Sequence, residues 1–120
     1  MNDNRPDTKD RKKLLKEQYK SRTITGGIYR IVNQETGRFY LRLANEMQSV
    51  RNWFEGCQSS GIVGHPTLGD DWAKYGPAAF VLEELELLEK TPEQTSREFN
   101  QDLNLLYQIW DEKLPADNRY

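Results

Sequence analysis

Gly27-Ile28-Tyr29-Arg30-Ile31-Val32 and Arg38-Phe39-Tyr40-Leu41-Arg42-Leu43 are the two runs whose reading decides the fold. Both are rich in β-branched and aromatic residues, which suit a pleated, half-buried surface. Between them, Asn33-Gln34-Glu35-Thr36-Gly37 supplies turn chemistry. The two runs therefore predict an antiparallel hairpin. Same-face residues in such a pair keep a fixed parity. With Tyr29 opposite Arg42, Ile31 falls opposite Tyr40, and Tyr29, Tyr40 and Arg42 share one face. The other face holds Ile28, Val32, Phe39, Leu41 and Leu43, with Arg30 as its one charged intruder, placed near a sheet edge. A slip of one residue would send the two tyrosines to opposite faces, so register governs what they can do together.

Working outward, Gly26-Gly27 breaks the chain before the hairpin. Upstream, Asp7 or Thr8 can cap a helix running to about Ser21, whose thin apolar stripe is Leu14, Leu15 and Tyr19. Downstream, Asn45 opens a helix with Gln48 three residues on, as in a capping box. Met47, Val50, Phe54 and Cys57 recur at three- and four-residue steps with Trp53 flanking, which predicts one buried face. Ser59-Ser60-Gly61 ends that helix. His65-Pro66 starts a shorter one, with Leu68, Trp72 and Tyr75 inward and Gly76 as its stop. Ala79 to Leu85 reads as a third strand. Thr91-Pro92-Glu93-Gln94 reads as a helix start, followed by a stripe of Phe99, Leu103, Leu106, Trp110 and Leu114 that Pro115 closes.

The order α-β-β-α-α-β-α predicts an α+β fold, a small three-stranded mixed sheet flanked by helices. Residues 1–25 read as a basic helical extension, 26–114 as the domain, and 115–120 as a tail. The 120 residues suit one modest core. No apolar run approaches the ~20 residues of a membrane span. The N-terminus lacks the apolar region of a signal peptide, and Cys57 stands alone, which excludes an internal disulfide and a cysteine-based zinc site. A reducing cytoplasm is the expected location. Residues 1–51 carry 12 Lys and Arg against 6 Asp and Glu, whereas residues 52–120 carry 5 against 13. A basic first half suits phosphates. The overall pI of about 5.5 is lower than most dedicated nucleic-acid domains show.

Gly27-Ile28-Tyr29, then Tyr40-Leu41-Arg42 eleven positions after the first tyrosine, then His65-Pro66, Leu68, Asp71-Trp72, Lys74-Tyr75-Gly76 and Phe80 form an ordered series. Over residues 26–88 this series resembles the GIY-YIG nucleases. The resemblance implies metal-assisted hydrolysis of phosphodiesters in nucleic acid. It assigns a tyrosine as general base, an arginine on the phosphate, and a glutamate on the last helix holding Mg²⁺ or another divalent cation. Carried over by position, Tyr29 and Tyr40 match the two signature tyrosines, Arg51 falls within one position of the arginine, and His65 matches a frequent histidine. Arg42 and Arg30 are further candidate contacts for substrate.

Three departures stand beside the match. Arg42 replaces the glycine of the second signature, and Glu55 stands four residues past Arg51, where the family often places His or Tyr. Tyr107 occupies the place of the metal-binding glutamate, leaving Glu98 and Asp102 as candidate replacement ligands. The resemblance thus implies a nuclease-like chain with weakened or lost cleavage. The alternative is a non-catalytic module, on the same fold, that binds nucleic acid or a protein partner.

Overall fold

The computed structural model describes residues 23–120. The proposed N-terminal helix, with Leu14, Leu15 and Tyr19, lies outside the described residues. The described elements are β1 (Thr25–Asn33), β2 (Phe39–Ala44), α1 (Met47–Ser60), α2 (Pro66–Tyr75), a 3₁₀ turn (Pro77–Ala79), β3 (Phe80–Glu89) and α3 (Ser96–Lys113). The sheet order is β2-β1-β3, with the Gly-Ile-Tyr strand in the centre.

The hairpin has the register that its alternation predicts: Tyr29 opposes Arg42 and Ile31 opposes Tyr40. The sheet as a whole differs from the mixed one expected. β3 also runs antiparallel to β1, so all three strands alternate in direction. The reason is the long route through α1 and α2, which returns the chain at the far end of β1. Parallel pairing among the described residues is confined to an isolated bridge between Phe39 and Arg119.

Both sheet faces are covered. Tyr29 and Ile31 join Met47, Phe54 and Cys57 of α1 and Leu68 and Trp72 of α2 in one cluster. On the reverse face, Ile28, Phe39 and Leu41 pack with Leu106, Tyr107, Trp110 and Leu114 from α3 and its end. Phe99 and Leu103 of α3 are buried as well. Arg30, the charged intruder on this face, ion-pairs with Glu83 of β3 at 2.6 Å and lies over the Phe39 ring. Near the middle of the sheet the β1–β3 register shifts between Ile28 and Tyr29. Glu86 opposes Ile28 and Glu84 opposes Tyr29, which leaves Leu85 as an extra residue in β3.

The helix starts refine two expectations. α1 begins at Met47 after Glu46, without a side-chain cap, so Asn45 and Gln48 form no capping box. Gln48 instead bonds Asn52 and Arg51. The capping box lies at α3, where Thr95 and Glu98 satisfy each other's backbone amides, four residues beyond the expected Thr91 start. The stops at Gly61 and Gly76 are as expected, each glycine having positive φ. Gly27 is required by close approach: a Cβ there would sit 2.2 Å from the Glu86 carbonyl oxygen. The C-terminal residues fold back on the hairpin. The Phe39 backbone amide donates to the Asn118 carbonyl and its carbonyl accepts from the Tyr120 amide, and the Tyr120 hydroxyl accepts from the buried Asn33 amide and donates to Asp71.

Candidate functional site

The tyrosine face opens into a cleft of about 320 Å³ lined by Tyr29, Tyr40, Arg42, Ser49, Val50, Trp53 and His65. β1 and β2 supply the first three side chains, because alternate strand residues point the same way. Ser49, Val50 and Trp53 come from α1, one turn apart. His65 stands at the entry to α2.

His65 has two roles at once. Its Nδ1 accepts the Thr67 backbone amide at 3.2 Å, capping α2. Its Nε2 lies 2.9 Å from the Tyr40 hydroxyl, with the two rings edge to face. A backbone amide can only donate, so Nδ1 is bare and the neutral ring carries its proton on Nε2. His65 therefore donates to Tyr40, whose own hydroxyl proton stays available for another acceptor. Arg42 lies over the Tyr40 ring, its guanidinium carbon 5.6 Å from the centroid. Among the described residues Arg42 has no ion-pair partner. Tyr29 is nearly buried. Its phenol is pushed above the ordinary value, first by burial and next by neighbouring Tyr40, with Arg42 acting in the opposite direction.

Arg51 is placed differently. It does not line the tyrosine cleft. Its guanidinium forks onto Glu84, Nε to Oε2 at 2.9 Å and Nη2 to Oε1 at 2.5 Å, and Nη1 donates to Gln48. Glu84 is the cross-strand partner of Tyr29 and so stands on the tyrosine face. Its carboxyl is held below the usual range chiefly by the hydrogen bonds from Arg51. Arg30 is on the opposite face with Glu83.

Neither candidate metal ligand reaches the cleft. Glu98 is engaged with Thr95 in the α3 cap, and Asp102 accepts from Gln94 at 2.5 Å. α3 packs on the reverse face of the sheet, where Tyr107 sits against the Ile28, Phe39 and Leu41 cluster. Among the described residues, no three His, Cys, Asp or Glu side chains converge. The cleft lining contains no carboxylate. These residues do not fit the divalent cation that the resemblance implies.

Reading the sequence alone passed over two members of the site. Glu84 could not be assigned to a face, because its place opposite Tyr29 depends on where α1 and α2 set β3 down beside β1. Trp53 was legible as a residue flanking the buried stripe of α1, and its three-residue step from Val50 was the available signal.

Two solved structures share this architecture. One is a mutant of the catalytic domain of the intron endonuclease I-TevI, with a TM-score of 0.56 at 19% identity, covering 81% of this chain and 92% of that one. The other is the catalytic domain of the homing endonuclease I-TevI, with a TM-score of 0.51 at 20% identity, covering 79% and 95%. I-TevI is a GIY-YIG homing endonuclease, and the present chain has a GIY-YIG-like α+β fold. No protein-family model and no curated protein sequence matches the chain.

Proposed function

We propose that this chain is a nuclease-like domain that binds the phosphodiester backbone of nucleic acid at its tyrosine face, with cleavage weakened or lost. The observation that carries this reading is the composition of the cleft: two tyrosines, a histidine and an arginine share it, and no carboxylate lines it. Arg42 offers a planar fork to a phosphate. Tyr40, held by His65, offers a hydroxyl proton to the same group. Arg51 is a second phosphate contact only after Glu84 releases it.

Hydrolysis needs more than these groups give. Tyr29 is a weak base while its phenol stays protonated at neutral pH. A divalent cation, where a nuclease of this kind holds one, stabilises the negative charge that develops on phosphate. The described residues present no donor set for it, so no hydrolytic step is assigned to them. The non-catalytic binding module is thus the same site without the cation.

A salt-dependent binding titration, paired with a cleavage assay in Mg²⁺ and Mn²⁺ over several DNA and RNA structures, tests the reading. The expected result is binding at low salt that Arg42→Ala weakens, with little or no cleavage. Robust cleavage abolished by Tyr29→Phe would restore a full nuclease. Absence of both binding and cleavage would move the function to a protein partner.

A further inference from the structure

Trp53 is a large aromatic residue left 39% exposed. It belongs to neither buried cluster nor to the residues packed against them. Other exposed apolar side chains, such as Leu105 and Ile109 of α3, are outside the cleft. Trp53 is in its wall, which it shares with Val50, Arg42 and Tyr40. A site for phosphate alone would be polar. This one joins a cation to an indole and an aliphatic surface.

We propose that Trp53 is a stacking platform for an unpaired nucleobase, placed so that the adjoining phosphate meets Arg42. The inference rests on the nucleic-acid reading above and names its substrate class: single strands, or the unpaired bases of branched and frayed structures. A base in a duplex has its faces covered by its neighbours and cannot lie on the indole. Every base has a π face, so the contact selects for strand state and carries little sequence preference. Arg42 supplies the charge complementarity that fixes the occupant as a nucleotide rather than an apolar peptide.

The test uses the full chain and four ligands at low salt: a mixed-sequence single strand, an abasic strand of equal length, a blunt duplex, and a duplex with an unpaired flap. Trp53→Ala should weaken single-strand and flap binding about 5- to 150-fold, the range of one base–aromatic stack. Duplex and abasic binding should change less than about twofold, and Trp53→Phe should keep most of the single-strand affinity. Arg42→Ala should weaken all four. Near-UV circular dichroism of each variant, matched to the parent, separates lost contact from lost fold. Equal losses across the four ligands, or none, overturn the stacking role. If Arg42→Ala still weakens all four, the phosphate reading survives that result. If no ligand binds the parent chain, both readings fall.

Discussion

The Nε2 proton of His65 is directed at the Tyr40 hydroxyl, 2.9 Å away, while the other nitrogen of the same ring caps α2. One imidazole thus ties the start of a helix to the orientation of a signature tyrosine. The two functions separate by substitution. His65→Asn keeps a good cap and loses the Tyr40 contact, whereas His65→Ala loses both. His65→Ala should cost about 0.5–2 kcal/mol more than His65→Asn in denaturant unfolding. Both should lower nucleic-acid affinity by a similar factor, about two- to tenfold. Binding losses that differ between the two variants, in step with their unequal stabilities, would remove Tyr40 orientation as the cause.

Arg51 and Glu84 form a clasp across the tyrosine face. Glu84→Gln frees the guanidinium and should raise nucleic-acid affinity about two- to fivefold at low salt, a gain bounded by the weakness of exposed pairs. Glu83→Gln makes the same change in net charge on the opposite face, where Glu83 holds Arg30, and should raise it less. Combining Arg51→Ala with Glu84→Gln should erase the gain. Because Arg51 depresses the Glu84 carboxyl, the clasp is complete above the ordinary glutamate range near pH ~4.3 and is lost only as pH falls through a lower value. A binding titration across acidic pH should show the parent and Glu84→Gln converging there.

Tyr29 ionises late, since burial and Tyr40 both oppose its phenolate. A spectrophotometric titration of the parent minus that of Tyr29→Phe should place its transition above the ordinary phenol value of ~10. Arg42→Ala, which removes the one opposing influence, should move it higher. The stability sign follows. A raised phenol favours the fold fully below the unfolded value and loses that contribution as pH rises through the folded one. Tyr29→Phe should therefore reduce the alkaline fall in stability above pH ~10. A transition at or below the ordinary value would point to a poised base.

On the reverse face, Leu103 is fully buried while Trp110 is only partly buried and donates from its indole to Glu86 at 2.9 Å. Leu103→Ala should cost about 2–5 kcal/mol, the range for emptying a buried leucine site. Trp110→Ala should cost less, despite the larger side chain, because part of its surface stays in water and its loss leaves a site that opens to solvent rather than a closed cavity. Chemical denaturation of the two variants gives the order directly.

The hairpin register and the shared face of Tyr29, Tyr40 and Arg42 were set by the sequence itself. A strict period of two leaves one pairing that keeps Ile28, Phe39 and Leu41 together, and the turn at Asn33 to Gly37 fixes where the strands reverse. The limits of α2 were equally legible, because His65-Pro66 and Gly76 act through their own backbone. Tertiary structure decided the rest. The direction of β3 depends on how α1 and α2 return the chain. Tertiary pairing with β1 determines that Glu84, rather than its neighbour Glu83, stands opposite Tyr29 and takes Arg51, while the extra residue at Leu85 sets Glu86 opposite Ile28. Glu98 was a free carboxylate in the sequence and became a helix cap in the fold. Such pairings join residues far apart in the chain. Their geometry comes from packing on both sides of the sheet, and no local pattern carries it.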